Sequence, residues 1–247
     1  MPASWTQGDG SAADRAWLAD WRRRIATLYT EVRAMAASDP AIALGHWRAV
    51  RERMYRDHPQ SPVPPDARAT FEAAHFEHDP SLRFEAVVEP APPPAPGAFT
   101  FELPTSGAGA ERATGAGAER PTGTGAERAT GAGHDIAALA FTRIGRISIP
   151  FAAGLRPLSV YWMTGYAGGL FIPFRDETNG SETYGAGRYL LDAAKGADLG
   201  GDPSAGTLVV DFNFAYQPSC AFDPRWACPL APPENRLDLA VRAGERL

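Results

Sequence analysis

The chain has 247 residues, 44% of them hydrophobic, which is enough for one well-covered core or at most two small ones. Its 25 glycines and 23 prolines favour many short strands and turns over a helical bundle. A formal net charge of −5 predicts a mildly acidic surface, which argues against a general nucleic-acid binder.

The first residues contain no basic segment followed by an apolar run, so the sequence predicts no secretory signal. No stretch approaches the roughly eighteen consecutive apolar residues of a transmembrane helix. We therefore expect a soluble cytoplasmic protein with neither a membrane nor a nucleic acid as its partner. The oligomeric state is left open.

Two helices are predicted in an N-terminal helical segment, residues 14–60, after a disordered stretch at residues 1–13. Residues 14–36 and 41–56 both repeat apolar side chains at intervals of three and four, with Asp14 as the first N-cap. The arginines of the second helix predict a solvated outer face, in preference to a phosphate-binding patch; they are Arg48, Arg51, Arg53 and Arg56. The proline-rich residues 58–65 predict a stiff extended linker.

The remaining residues, 61–247, are predicted to form a β-rich domain, because the hydrophobic period changes to that of strands near residue 82. The fold class is mainly β (α+β): an antiparallel sandwich or partly open barrel of about eight strands, with the two helices packed on it. Asn179-Gly180 predicts a tight turn between two strands. The predicted strands are 82–89, 99–103, 138–151, 157–166, 169–178, 188–193, 207–216 and 236–243.

An eight-residue repeat rich in Gly, Ala and Thr interrupts this domain at residues 105–133. It has almost nothing to bury and is predicted to be a disordered surface insertion, in preference to a binding element. Its glycines match neither the dinucleotide fingerprint nor the phosphate loop, so we expect no cofactor.

Polar residues are dense in the last third of the chain, and strand alternation sorts them by face. Asp211 and Asn213 share one face of the predicted strand 207–216, whereas Arg175 and Asp176 fall on opposite faces of theirs. Gly185 and Gly187 alternate, which is typical of close approach by a ligand or another backbone.

Two interpretations of this polar cluster remain. In the first, Arg188 receives a small polar or anionic ligand, oriented by Asp211 and Asn213. In the second, Arg188 pairs with Asp211 in an internal network that only stabilises the fold. The candidate ligand-binding residues are Arg175, Asp176, Tyr184, Arg188, Tyr189, Asp211, Asn213 and Asn235.

An enzymatic role has weaker support in the sequence. The serine elbow GxSxG, the zinc motif HExxH and the SxxK motif are all missing, so no catalytic residue is assigned. Asp176 or Asp211 could act as the general base of a hydrolase, but strands carry many carboxylates.

Cys220 and Cys228, the two cysteines, allow three interpretations: buried thiols, a disulfide or a metal site. A disulfide would contribute roughly 2.5 kcal/mol by the loop-entropy model, although a reducing cytosol opposes it. Zinc needs two further ligands, for which His75 and His78 are the best candidates, but their spacing is not that of a zinc finger. Buried thiols are favoured and no metal is predicted.

The segments FIPFRDETNGSETYGAGRYL and DFNFAYQPSCAFDPRWACPLAPPENRLDLAVRAGE closely resemble the bacterial and archaeal family called domain of unknown function 1684. The resemblance covers residues 166–246 and extends more weakly back to about residue 45. It departs at Gln217, where the family usually has Asn, and in the octad insertion. It implies no activity; it implies that the family pattern includes Arg175, Asp176, Thr178, Tyr184, Arg188, Asp211, Asn213, Cys220, Cys228 and Asn235.

Overall fold

The computed structural model describes residues 11–92, 101–102, 105–106, 140–164, 168–224, 226 and 228–247. The predicted disorder at residues 1–10 and 107–133 therefore lies outside the described residues. Two corrections concern the margins of these regions: residues 12 and 13 are helical, and residues 105 and 106 form a short strand.

The two predicted helices are present, each with an N-cap. Helix α1 spans Ala12–Ala36, and its cap is Ser11, whose side chain accepts a hydrogen bond from the backbone N–H of Asp14. The expected cap, Asp14, instead lies in the first turn, where a carboxylate favours the helix dipole. Helix α2 spans Pro40–Asp57 and is capped by Asp39.

Ten strands occur in the described parts of the chain, and each pairing between them is antiparallel. They are β1 Arg83–Val87, β2 Glu89–Pro90, β3 Phe101–Glu102, β4 Thr105–Ser106, β5 Ala140–Phe151, β6 Gly154–Met163, β7 Leu170–Phe174, β8 Arg188–Asp192, β9 Thr207–Asp211 and β10 Cys228–Pro229.

The strands form open sheets. The largest has six strands in the order β2-β5-β6-β7-β8, with β3 also paired to β5, while β1 pairs with β9 and β4 with β10. The predicted mainly β, α+β architecture with two packed helices is thus confirmed, and its sheets do not close into a barrel.

The core lies on both sides of the large sheet. One cluster joins the helices to the sheet through Trp47 of α2 and Phe171 of β7, and a second contains Ile172 of β7 and Val210 of β9. Because Phe171 and Ile172 are neighbours on one strand, their side chains point to opposite faces. The helices and the β1–β9 pair therefore cover opposite faces of β7.

Two predicted strands end differently from expectation. Strand β9 stops at Asp211 because the Asp211 side chain accepts a hydrogen bond from the N–H of Asn213 and caps a 3-10 helix at Phe212–Phe214. Residues 236–243 form no strand but run beside residue 175, where the Leu237 N–H donates to the Arg175 carbonyl at 2.8 Å.

The proline-rich residues 58–65 pack against the protein where an extended linker was expected. Ser61 and Val63 are buried, and the Ser61 hydroxyl donates to the Tyr55 carbonyl at the end of α2. This segment therefore belongs to the packed structure around α2.

In the described ranges, no helix combines the length and hydropathy that a membrane span requires.

Candidate functional site

Arg188, at the start of β8, is completely buried and is surrounded by acceptors. Its Nη2 donates to Asp176 Oδ2 at 2.7 Å and to the Val241 carbonyl at 2.8 Å. Its Nη1 donates to the carbonyls of Ala243 and Glu245. Burial lowers the pKa of Arg188 and the Asp176 carboxylate opposes that shift, but arginine still remains protonated at neutral pH. The guanidinium therefore fixes the C-terminal segment and faces no open cavity.

The loop between β7 and β8 folds around Asp176. The second carboxylate oxygen, Oδ1, accepts hydrogen bonds from the backbone N–H of Thr178, at 2.7 Å, and from its hydroxyl. Asn179 accepts from the Asp176 N–H at 2.7 Å, and Gly180 has a positive φ of 84°, as the predicted turn requires. Both oxygens of Asp176 are thus occupied.

Of the two alternating glycines, Gly185 and Gly187, only Gly187 lies where another backbone segment approaches closely. Gly187 has a φ of 102°, and a Cβ atom there would lie 2.4 Å from the Phe174 carbonyl oxygen. A Cβ at Gly185 would meet its nearest neighbour at 3.9 Å. Only Gly187 is therefore required by sterics.

Asp211 and Asn213 lie together, but they do not join Arg188. Asp211 Oδ2 pairs with Arg83 Nη1 at 3.1 Å, and the Asn213 side chain donates to Asp211 Oδ1 at 2.8 Å. The Asp79 N–H donates to Asn213 Oδ1, and Asn213 Nδ2 donates to the Asp79 carbonyl. The expected pairing of Arg188 with Asp211 is wrong. Arg188 pairs with Asp176 instead, because the loop between β7 and β8 folds back and places the Asp176 carboxylate beside the start of β8.

The other predicted residues bond mainly to backbone. Arg175 Nη2 donates to the Gly185 carbonyl at 2.8 Å, and the Tyr189 hydroxyl donates to the Pro229 carbonyl at 2.6 Å. Asn235 is buried and bonds Ser159 and Pro173 at 2.7–3.0 Å. The Tyr184 carbonyl accepts from Asn179 at 3.0 Å. Of the eight candidates, the structure joins Arg188 to Asp176 and Asp211 to Asn213.

A second buried ion pair escaped the sequence analysis. Arg51 on α2 donates through Nε and Nη2 to Glu245 Oε1, at 3.0 and 2.8 Å, and also contacts the Tyr55 hydroxyl. Burial lowers the pKa of Arg51, but Glu245 and the nearby tyrosines outweigh it, so the net shift is upward. Burial likewise raises the pKa of Tyr55. The expectation of a solvated arginine face is therefore wrong at Arg51, which is 5% exposed.

A cavity of about 150 Å³ lies beside this pair. Three aromatic rings form its walls, with centroids 5.1–5.8 Å apart: those of Tyr55, Phe71 and Phe222. Arg246 is an exposed lining residue, so it lies at the mouth. The full lining is Tyr55, Phe71, Glu72, Ala73, Ala74, Gln217, Ala221, Phe222, Glu245, Arg246 and Leu247.

Gln217, a lining residue of this cavity, has one side-chain atom without a hydrogen-bond partner among the described residues. Its backbone N–H donates to Glu245 Oε2 at 2.8 Å, and its Nε2 donates to the Arg246 carbonyl at 3.0 Å. Its Oε1 is buried and has no hydrogen-bond partner among the described residues. Gln217 also borders a smaller cavity of about 40 Å³. A buried acceptor without a donor costs free energy that a suitable ligand would recover.

A larger concavity, a surface groove of about 1060 Å³, lies between α1 and α2. Two of its charged pairs link the two helical segments, with His46 Nε2 2.7 Å from Glu31 and His58 Nε2 3.1 Å from Asp20. We favour the aromatic cavity over this groove because Gln217, a lining residue of the cavity, has a buried acceptor without a partner among the described residues.

Cys220 and Cys228 are buried thiols not joined by a disulfide, as favoured from the sequence. The Cys220 N–H donates to Cys228 Sγ at 3.3 Å. A hydrogen bond with the Cys220 side chain, together with burial, raises the pKa of the Cys228 thiol. The ring of His75 packs on Trp47, with ring centroids 5.9 Å apart. Within the described residues no group of three or more His, Cys, Asp or Glu side chains could hold a metal ion.

Comparison with known proteins adds a family and a fold. A family model described as a protein of unknown function, DUF1684, matches residues 119–246, just over half of the chain. No curated protein matches. Solved structures do, among them the solution NMR structure of an uncharacterized protein from Haloarcula marismortui. It is 28% identical, has a TM-score of 0.53, and the alignment covers 86% of this chain and 96% of that one.

Proposed function

The chain belongs to the DUF1684 family of proteins of unknown function, and we propose that it binds a small planar polar or anionic molecule in the cavity lined by the contacting rings of Tyr55, Phe71 and Phe222. The observation that carries the proposal is the buried Gln217 Oε1, which lacks a donor. This oxygen has almost no accessible surface in the folded chain, so a ligand N–H or O–H group would satisfy it once the Gln217 side chain turns toward the cavity.

The shape of the cavity favours a ring-sized ligand. A volume of about 150 Å³ is that of a cavity known to accept benzene in another protein. Aromatic walls favour a flat body that stacks or packs edge-on. The sides of the cavity therefore support a planar molecule more than an extended or sugar-like one.

The mouth of the cavity offers one cation to a ligand. Arg246 is exposed there, and a guanidinium is well suited to bidentate recognition of a carboxylate. Glu72 is also exposed in the lining and opposes an anion, whereas Glu245 is buried and its charge is paired with Arg51. We therefore infer that a planar ring with a hydrogen-bond donor fits best, with any carboxylate placed toward Arg246.

The residues first expected to bind the ligand have a supporting role in this proposal. Arg188 bonds the carbonyls of the segment that carries Glu245 and Arg246, and Asp176 holds Arg188. The proposed binding site is thus the neighbouring cavity, and Arg188 itself does not contact the ligand. The hydrolase alternative gains no support, because the carboxylates of Asp176 and Asp211 are buried and occupied by protein donors.

The proposal is tested by ligand-observed NMR with a matched panel: benzoate, benzamide and cyclohexanecarboxylate. Benzoate and benzamide are expected to bind, benzamide more tightly because its N–H group can donate to Gln217 Oε1 whereas ionised benzoate has no donor, and the non-planar acid is expected to bind at least tenfold more weakly than benzoate. A Phe222→Ala variant should lose binding of both aromatic probes. Failure of both aromatic probes to bind, or equal binding by the variant, would contradict the proposal.

A further inference from the structure

The two cysteines are placed to react with each other. The Cys220 backbone N–H lies 3.3 Å from Cys228 Sγ, and the two thiols share a hydrogen bond. Both are buried, and β10, which begins at Cys228, pairs with β4. A disulfide requires the two sulfur atoms to approach to about 2.05 Å, and the contact between the Cys220 backbone and Cys228 Sγ holds the two residues side by side.

Two features of the surroundings bear on the reactivity of the sulfur atoms: a nearby cation, and the lack of a metal-binding cluster in the described part of the chain. A hydrogen bond with Cys220 and burial raise the pKa of the Cys228 thiol, and the Lys195 ammonium, whose Nζ lies 3.1 Å from Asp192 Oδ2, offsets this shift only in part. Because the thiolate is the nucleophile in disulfide chemistry, the reaction is expected to be slow in the folded protein. In the described part of the chain, these sulfurs belong to no cluster that could hold a metal.

We propose that Cys220 and Cys228 are a redox-active dithiol, which a small-molecule disulfide oxidises to an intramolecular disulfide. One cysteine thiolate attacks a sulfur of the oxidant RSSR, so that a mixed disulfide forms and one RS⁻ leaves. The second cysteine thiolate then attacks the protein sulfur of that mixed disulfide and expels the second RS⁻. Both cysteine protons end on the released thiolates, so two thiols and RSSR give one protein disulfide and two RSH.

Oxidation would act on the wall of the aromatic cavity. Phe222 lies between the two cysteines in the sequence, and its ring contacts Tyr55 and Phe71. A covalent link between the ends of this short segment reduces its conformational freedom in the unfolded chain and stabilises the folded one. The disulfide form is therefore expected to keep the segment that carries Phe222 folded to a higher temperature, whether or not a ligand is bound.

The test uses the full chain and oxidised glutathione as the oxidant. After incubation, the protein is denatured, alkylated with iodoacetamide and analysed by intact mass and peptide mapping. We expect the loss of two hydrogen atoms, no alkylation, no retained glutathione and a peptide cross-link between Cys220 and Cys228. We also expect Tm to rise by about 5 °C relative to the reduced protein.

Single variants Cys220→Ala and Cys228→Ala are the matched controls, and their Tm should not respond to oxidised glutathione. Because burial slows oxidation of the folded protein, a second sample is oxidised in denaturant and then refolded. A stable mixed disulfide, a disulfide-linked dimer, or a refolded disulfide form that melts below the reduced protein would each overturn the proposal.

Discussion

Arg51 Nη2 lies 2.8 Å from Glu245 Oε1, although 194 positions separate these two residues in the chain. The pair is buried and joins α2 to the C-terminal segment after the 3-10 helix Pro233–Asn235. Arg188 bonds the same segment through the Glu245 carbonyl. Glu245 in turn accepts from the Gln217 N–H. The candidate cavity is thus built from three parts of the chain that meet only after folding.

This pair is expected to be essential for stability. Glu245→Gln leaves the Arg51 guanidinium buried without its counter-charge, which costs about 3–5 kcal/mol in comparable buried pairs. Urea unfolding at neutral pH measures the loss. The matched control is Glu182→Gln, which breaks an exposed pair with Arg242 and should leave the unfolding midpoint unchanged. Equal effects of the two variants would contradict this role for the buried pair.

Asp176→Asn tests whether Arg188 supports the fold or binds a ligand. The variant leaves Arg188 buried beside a neutral amide, so we expect a loss of about 3 kcal/mol in the free energy of unfolding. At a temperature where the variant is still folded, benzoate affinity should change less than threefold. Unchanged stability with abolished binding would instead restore Arg188 as the ligand partner.

Gly187→Ala should destabilise the protein, because φ is 102° and the new Cβ would lie 2.4 Å from the Phe174 carbonyl. The expected cost is more than about 1 kcal/mol, measured by thermal or urea unfolding. Gly185→Ala is the control, since the added Cβ has room and no strained φ is recorded there. An equal loss of stability in both variants would show that the Phe174 contact is not the cause.

Acid should destabilise the protein through His75. Burial lowers the pKa of His75 to about 4, whereas in the unfolded chain the pKa is near 6.5. Between these values the unfolded state binds more protons, so stability falls as pH drops from about 6.5 to 4. His75→Phe keeps a ring against Trp47 and should flatten the decline in the urea midpoint between pH 7 and pH 4.5. An equally steep decline in the variant would assign the effect to other groups, such as His58, whose pKa burial also lowers.

Gln217→Met should separate binding from folding. The variant keeps the length of the side chain but removes the unpaired acceptor Oε1 and the bond to the Arg246 carbonyl. These losses oppose each other, so we expect a stability change within about 1 kcal/mol and at least a tenfold loss of benzamide affinity. Calorimetric titration measures the affinity, and unchanged affinity would contradict the role of Gln217.

The sequence predicted the regular elements because their signals are local. Helical spacing identified α1 and α2, and strand periodicity identified β1 and β5 through β9. Strand alternation failed after Asp211 because one side chain caps a turn there and ends the strand. A pattern of alternating residues contains no information about where a polar side chain will bond the backbone.

The candidate cavity could not be predicted from the same patterns. Arg51 lies in a row of arginines whose spacing is that of an exposed helix face, and only its distant partner Glu245 explains its burial. Arg188 was expected to pair with Asp211, and its pairing with Asp176 depends on the conformation of the loop between β7 and β8. One signal was present: Gln217 departs from the family resemblance, and it lines the cavity.

The central claim is tested most directly by mapping backbone amide chemical shifts in a titration of ¹⁵N-labelled protein with benzamide, whose N–H group can donate to Gln217 Oε1. The account predicts saturable shifts centred on Ala73, Gln217, Phe222 and Arg246, with little change at Asp211 or in the α1–α2 groove at Glu31. Shifts centred on that groove or on Asp211, or no saturable shift near Gln217, would contradict it.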